Sequence, residues 1–575
     1  MPPARIIKPE IEIVMNKRDC ITMSVLTLAF AVMAFYRLGS FAIPQSGYEA
    51  TGENRTITLD FGEDVSLNRL VVFPGRLGFF GDFYMREDGG AEWVLLKGDV
   101  EVARPYSWGL VPLPGRFRYL RLEARNMTAN FNEMVFIDYL ERRLMPVNAA
   151  DYPALFDEQG LYDRYLSHTY YNVTIFDEAF YARAAYDYIN GLPPGETAHP
   201  PLGKSIISLG SRAFGMNPFG WRSMAAVFGI MTVPLMYAFA KALLSNSFAA
   251  TATAALLVFD CMHFTLSRIG TIDTIAGFWI LLMYYLFWRY LQMNGRLTTA
   301  PTTDVVASPH KFPRSYLPLA LCGLVFGLAA ATKWTGLFAG AGLALLFLYH
   351  LIKHRPPQIK RLLAFCTVFF VVLPALIYVL SFRPVVADPP VGGLLATAAD
   401  YTKQMFAYHT AREYRDNVYS LFYEWPFVWR PMLYISEPLD FTFISSVNLL
   451  GNPAIWWFGL PCLVFCLYRA LRKKDAPAGF LVTAYLAQYL PWFFKTDVTF
   501  IYHYYPATLF MLPAIGYTLD AVARAKQWGR TAVYGYLAVA AAVFVIFYPV
   551  TSGQPATFFY QTGLEWLPEW YLVMG

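Results

Sequence analysis

Long apolar runs broken by short polar stretches dominate the chain, and their length sets the first expectation. Crossing the hydrocarbon core of a bilayer takes about 17–25 apolar residues in a helix. Such runs occur at Ile21–Ile43, Gly220–Ala240, Ser247–Thr265, Ile272–Leu291, Tyr316–Thr332, Gly336–Leu351, Leu362–Ser381, Pro453–Tyr468, Phe480–Phe494, Phe500–Tyr517 and Ala532–Val550. They predict a polytopic α-helical membrane protein with about 11 transmembrane helices. The first run is long enough to cross the membrane rather than be cleaved as a signal peptide.

The polar breaks predict an orientation. Basic residues collect in alternate connections: Arg5, Lys8, Lys17 and Arg18, then Lys241, then Arg296, Lys311 and Arg314. Lys353, Arg355, Lys360 and Arg361 follow, then Arg469, Arg472, Lys473 and Lys474, then Arg524, Lys526 and Arg530. Excess Lys and Arg marks the cytoplasmic side, so the N-terminus is expected there. Two large polar segments, Ser46–Asn217 and Phe382–Asn452, then face the extracytoplasmic side with the tail Thr551–Gly575. The insert Asn294–Ser315 reads as a cytoplasmic loop.

Within the first polar segment the period changes from helical to strand-like. ITLDF (57–61), LNRLVVF (67–73), EWVLLKG (92–98) and FRYLRLEA (117–124) alternate or run apolar between Gly and Pro turns. This predicts an extracytoplasmic all-β insert, read as an antiparallel sandwich. The order ITLDFG, YLRLEARN, FNEMVFID resembles a discoidin-type jelly roll, which implies a glycan ligand or a purely structural docking role. Phe79, Phe80 and Trp108 are the aromatics read as able to stack on a sugar, against the alternative that they pack. Asn54, Asn126 and Asn172 each open an Asn-x-Thr sequon.

Composition agrees with lipid as the solvent. Residues are 56% hydrophobic and 15% charged, against roughly a quarter charged in soluble domains. Aromatics reach 17%, which suits many helix ends at the interface. A net charge of +5 does not suggest a nucleic-acid partner. The six cysteines all lie in or beside apolar segments, so the first polar segment has no disulfide. No metal-ligand spacing is present, and no metal or cofactor is expected.

Charge beside hydrocarbon carries the chemistry. IFDEAFYARAAYDYIN (175–190) opens with Asp177 and Glu178 and predicts an amphipathic helix along the membrane surface, with Phe180, Ala184 and Tyr188 on one side. Acids at that position also complement a helix dipole. HPPLGK (199–204) places Lys204 near the interface, Arg222 opens a span, SRIGTIDT (267–274) brings Arg268 and Asp273, and ATKWTGLF (331–338) brings Lys333. Each cation alone could be snorkelling. Together, on one face, they suit a lipid-phosphate sugar: the phosphate at the cations and a carboxylate as base for an acceptor hydroxyl.

FDEAFYA, HPPLGK, WRSMAAVFG, SRIGTIDT and TKWTGLF stand in one order, followed by AYHTAREYRDNVYSLFYEWPFVWRPMLYI (407–435), GNPAIWW (451–457) and TFIYHYYPATLFM (499–511). This ordered set resembles the protein O-mannosyltransferase family, over about Phe176 to Thr518 and the first span. The resemblance implies a GT-C glycosyltransferase fold and inverting transfer of mannose from polyprenyl or dolichyl phosphate to Ser or Thr of secreted proteins. It implies Asp177 as base with Glu178 in support, and Arg222 at the donor phosphate with Lys204 and Arg268 as weaker candidates. His199, Asp273, Lys333, His409, Trp425, Arg430 and His503 match further motif positions. Two departures stand out: about 130 residues separate the first span from the acidic pair, and Phe382–Asn452 has no room for MIR repeats. Both fit a bacterial-type member of the plasma membrane with an added β-domain. The reading divides the chain into 1–45, the β-insert 46–145, a catalytic loop 146–219, the helical domain 220–550 and the tail 551–575. The alternatives are a related enzyme moving another sugar, such as aminoarabinose, to lipid A or a surface polymer, and a non-catalytic glycan-binding membrane protein.

Overall fold

The computed structural model describes residues 15–295, 314–356, 358–385, 392–410, 419–495, 499–525 and 527–574. Most of the insert 294–315 therefore lies outside the described residues, as do Arg5, Lys8, Lys311 and Lys526.

Helices occupy all eleven predicted stretches. They are α1 (Lys17–Phe35), then α2 (Glu178–Asn190) and α3 (Pro201–Phe214) in the first polar segment, then α4 (Pro218–Leu244), α5 (Ser247–Val258), α6 (Cys261–Leu266) and α7 (Asp273–Gly295). Next come α8 (Leu317–Thr332), α9 (Thr335–His354), α10 (Ile359–Thr367) and α11 (Leu373–Ser381), the last two joined by a π-helical turn at Val368–Val372. After α12 (Gly393–Thr410) follow α13 (Pro453–Lys473), α14 (Ala476–Tyr489), α15 (Tyr505–Ala525) and α16 (Gly529–Ser552). Eight helices among the described residues are long and apolar enough to cross a membrane, while α5 and α8 are apolar but shorter. The chain is a multi-pass membrane protein.

Local sequence explains where several helices start. Asn217 caps α4 by accepting from the Gly220 amide at 2.8 Å, with Pro218 in its first turn. Asn452 before Pro453 and Asp475 before Pro477 repeat the device at α13 and α14. The predicted span Ile21–Ile43 is corrected: α1 stops at Phe35 because Arg268 takes its last carbonyls. The Arg268 guanidinium donates to the oxygens of Met33, Ala34, Tyr36 and Arg37 at 2.7–3.1 Å, satisfying groups that further helix would otherwise need. At its other end, α1 is held to the end of α4 by Lys241 Nζ, 3.1 Å from Asp19 Oδ2.

The β-insert is one curved antiparallel sheet rather than the expected two-sheet jelly roll. Its strands are β1 (Tyr48–Thr51), β2 (Thr56–Pro74), β3 (Phe79–Arg86), β4 (Val94–Val102), β5 (Gly109–Ala124), β6 (Thr128–Asp138) and β7 (Arg143–Leu144). They run in the order β1-β6-β2-β5-β3-β4, with β7 on β6. The two predicted strands at 57–61 and 67–73 are halves of the single strand β2, bent where its register against β5 shifts between Asp60 and Val65. Alternation then serves both faces. Leu70 and Val72 of β2 and Met134 and Phe136 of β6 enter a core of the sheet's own, closed by Leu155 and Phe156. Val71, Phe73, Val135 and Ile137 face the opposite way and join the core of the helical domain. Phe79 and Trp108 are corrected as sugar-stacking candidates: both are core residues, Trp108 edge-on to Phe73 and Tyr162 at 5.1 and 5.2 Å. Phe80 stays partly exposed beneath Arg125. The Asn172 sequon is buried, which leaves no room for a glycan there.

After α12 the hairpin β8 (Met432–Pro438) and β9 (Phe443–Leu449) pairs with β10 (Ala556–Thr557) from the tail. Trp570 of the tail donates to the Val428 carbonyl at 2.7 Å, so both late polar segments pack together at one end of the bundle.

Candidate active site

The acidic pair divides between two tasks. Phe176 has a backbone φ of +47°, a left-handed conformation costly for a bulky residue, and it turns the chain into α2 immediately before Asp177. Glu178 points inward and is fully buried. It accepts from the Ile175 and Gly270 amides at 2.9 and 2.7 Å and takes a bidentate pair from Arg222. Asp177 occupies the position before α2 without capping it, and its carboxylate hydrogen-bonds to no other described residue. Its environment raises its pKa to about 7: burial is the main cause, and Asp273 adds to it, while Lys333 works against it. The carboxyl retains some exposure although protein surrounds it on most sides.

Around Asp177 gather the loops at one end of the helix bundle. Asp273 begins α7, and Lys333 lies between α8 and α9; Lys333 Nζ approaches Asp273 Oδ1 to 2.7 Å. That ammonium also sits 5.0 Å from the Tyr502 ring, just before α15. Phe176 stacks on Tyr434 of β8 at 4.6 Å and meets Tyr502 edge-on at 5.8 Å. His199 and His409 are 5.4 Å apart, and the Trp334 ring lies 5.7 Å from His409. Lys495 Nζ donates to the His409 carbonyl at 2.7 Å. His503 lies 4.3 Å from Tyr502 and 4.2 Å from Trp492. Burial and nearby lysines hold the His199 imidazole well below its ordinary pKa, which keeps it neutral at pH 7. Burial lowers His409 as well.

The residues expected at a phosphate are committed elsewhere, and this is the main correction. All five Arg222 donors are engaged: Nε and Nη2 with Glu178 at 2.7 Å, and the remainder with the carbonyls of Leu38, Tyr170 and Val173 at 2.7–3.0 Å. Arg268 spends its terminal nitrogens on the carbonyls at the end of α1 and on Ser552. Lys204 donates to the carbonyls of Glu196 and His199 and to the Glu196 carboxylate at 2.5 Å. Arg222 and Lys204 hold the scaffold with every donor engaged, and Arg268 does so through its terminal nitrogens, its buried Nε–H alone lacking a partner among the described residues. Glu178 is likewise structural.

Trp425 is fully buried, donates to Ser420 and backs His503 at 6.1 Å. Arg430 stands apart, between Glu424 and Glu569 at 3.6 and 3.5 Å. The surface-helix expectation for α2 is also corrected: Phe180 is 55% exposed while Ala184 and Tyr188, further along the same side of the helix, are buried in the protein, so that side is not laid along a surface. Sequence reading missed Phe176, Tyr434, Tyr502, Glu196 and Lys495 as site neighbours. The only signal was their place inside or beside the quoted motifs, since an aromatic in an aromatic-rich chain is unremarked. The HPPLGK glycine does have a readable purpose: a Cβ on Gly203 would lie 2.6 Å from Ile272 Cγ2, so only glycine lets α3 press against the start of α7.

A bundle of membrane helices with a carboxylate, lysines and histidines at one end defines the class: a multi-pass membrane enzyme scaffold with its polar site at one end of the bundle. Residues 159–386 match the family model for dolichyl-phosphate-mannose-protein mannosyltransferase, and residues 395–570 match that for the C-terminal four-transmembrane region of protein O-mannosyltransferase. The chain belongs to the protein O-mannosyltransferase family. It is 26% identical over 451 residues to a polyprenol-phosphate-mannose–protein mannosyltransferase of Mycolicibacterium smegmatis, covering 69% of this chain and 87% of that one. The protein of the same name from Corynebacterium glutamicum is 26% identical, with 69% and 88% covered. A solved S. cerevisiae protein O-mannosyltransferase complex bound to the sugar donor superposes with a TM-score of 0.59 at 15% identity, covering 69% of this chain and 89% of that one. The fold is thus the GT-C membrane glycosyltransferase fold.

Proposed function

We propose that this protein transfers mannose, with inversion, from polyprenyl- or dolichyl-phosphate mannose to Ser or Thr hydroxyls of secreted proteins, on the extracytoplasmic face of a bacterial plasma membrane. The observation that carries the proposal is Asp177: a carboxylate with no hydrogen bond among the described residues, raised to about 7, close enough to Lys333 and Asp273 to feel their charges. A base poised near the operating pH is the most effective one. Family membership supplies donor and acceptor class.

In the proposed step the acceptor oxygen forms a bond to the anomeric carbon from the side opposite the phosphate. The hydroxyl proton passes to Asp177. The bond from the anomeric carbon to the phosphate oxygen breaks, and the lipid phosphate leaves with its electron pair. Lys333, with Lys495 beside His409, replaces Arg222, Lys204 and Arg268 as the assignment for balancing that phosphate. Lys495 has N–H donors beyond the one given to His409. No metal or other cofactor takes part in the proposed reaction; side-chain cations carry the charge. The partners are the lipid-linked donor, the secreted acceptor and the bilayer, with no nucleic acid. The alternating basic connections support the orientation with a cytoplasmic N-terminus. For the β-sheet we propose a docking role rather than a glycan ligand, because its second face is spent on the helical domain.

The test uses purified protein in lipid with polyprenyl-phosphate [¹⁴C]mannose and a Ser/Thr-rich peptide. Label on the peptide, released by β-elimination and absent with Asp177→Asn, is the expected result. Label that partitions with lipid after protease treatment would replace the protein acceptor with a lipid one.

A further inference from the structure

Tyr434 has no place in the step described above, yet its surroundings are unusual. It lies on β8, outside the helices that cross the membrane, and is 7% exposed. Its hydroxyl is buried and hydrogen-bonds to nothing among the described residues. A buried hydroxyl without a partner loses water and gains nothing in return, so such groups are rare unless a ligand completes them. The ring is close enough to Asp273 and Asp177 to feel their charges, which places it at the same site. Burial and those carboxylates push its pKa well above the ordinary phenol value, so the hydroxyl remains a proton donor throughout the physiological range.

The ring is also held in an expensive way. Phe176 stacks on it at 4.6 Å with the planes 17° apart, from a left-handed backbone conformation. Strain of that kind persists only where the surroundings fix it, and it clusters where geometry has to be exact. The same turn also brings the Glu178 amide to the Ile175 carbonyl and the Ile175 amide to the Glu178 carboxylate, each at 2.9 Å, so it serves the start of α2 as well as the stack.

We infer that Tyr434 is a donor-binding residue whose hydroxyl donates to an oxygen of the lipid-phosphate sugar, with Phe176 as the positioning residue that fixes its ring. The inference rests on the proposed donor, and it commits to an oxygen acceptor, on either the phosphate or the sugar. Because Phe176 adjoins Asp177 in the chain, one backbone turn then sets both the base and the donor contact.

The experiment measures equilibrium binding of polyprenyl phosphate and of polyprenyl-phosphate mannose to the full chain in lipid nanodiscs, for wild type and Tyr434→Phe. Phenylalanine keeps the stack and removes only the hydroxyl. About tenfold weaker binding is expected, the size of one neutral hydrogen bond. Loss with both ligands assigns the bond to the phosphate, and loss with the mannosylated ligand alone assigns it to the sugar. Unchanged affinity for both ligands overturns the inference while leaving the proposed function standing. Failure of wild type to bind either ligand overturns both. Phe176→Leu, which abolishes the stack, should weaken the donor as Tyr434→Phe does, and Phe176→Tyr should restore it. Equal affinity in all three Phe176 forms would remove the positioning role.

Discussion

Arg222 and Glu178 form a fully buried bidentate pair, with Nε and Nη2 each 2.7 Å from a carboxylate oxygen. The pair ties α4 to the start of α2 and leaves the neighbouring Asp177 as the carboxylate facing the site. Breaking such a pair by removing one partner strands the other charge, at a cost of about 3–5 kcal/mol. Arg222→Ala should therefore lower the melting temperature in detergent and reduce the folded yield. A well-folded Arg222→Ala protein with only a raised donor KM would return Arg222 to the phosphate.

Asp177→Asn should behave differently. It removes a group that supports no hydrogen bond among the described residues, so folded yield and binding of polyprenyl-phosphate mannose should persist. Turnover should fall by about 10²–10⁴-fold, the usual value of a positioned base. Loss of donor binding in equal measure would show a structural role instead.

The raised pKa of Asp177 fixes two opposite pH dependences. As a base it must be ionised, so kcat should climb through about pH 7 and level off above it. Stability runs the other way. The folded state holds this proton up to about 7 and the unfolded state loses it near the ordinary aspartate value of 3.8, so this group's contribution weakens as pH rises between those values. Asp177→Asn should consequently melt higher than wild type at pH 8 and close to it at pH 4. Identical melting differences at both pH values would contradict the shift.

Asp273 and Lys333 tune that base in opposite senses. Asp273 raises the Asp177 pKa and Lys333 lowers it. Asp273→Asn should move the acidic limb of the rate profile to lower pH, and Lys333→Met should move it to higher pH while raising donor KM. A pair of profiles that superpose on wild type would separate these residues from the base.

Gly203→Val should be poorly tolerated. Its side chain would meet Ile272 and Thr332, pushing α3 away from the helices that carry Asp273 and Lys333. Reduced melting temperature with loss of activity is expected, and a valine variant with wild-type properties would show that α3 can shift freely.

Much of this architecture was legible in the chain, for definite reasons. A transmembrane helix must be apolar for its whole length, so each predicted stretch found a helix. The ordered motifs named residues that do assemble: Asp177, His199, Asp273, Lys333, His409 and His503. What the sequence concealed was allocation. An arginine at a span end reads the same whether it grips a phosphate or five backbone groups, and only the carbonyls around Arg222 and Arg268 separate these cases. Likewise nothing in FDEA says that the aspartate faces the site and the glutamate the scaffold; that follows from the left-handed turn at Phe176. The β-insert was visible through its alternation, but one bent strand and two straight ones give the same pattern, so the second sheet was an error of counting.

The two-sided burial of β2 and β6 bears on how the protein is made. Synthesis delivers the whole sheet before α4 appears, since residues 48–144 precede Pro218. Val71, Phe73, Val135 and Ile137 must then wait bare until the helical domain reaches them. A newborn sheet in that condition is a sticky surface exposed to its neighbours. That exposure ends only when the membrane helices that follow Pro218 are delivered and cover the face.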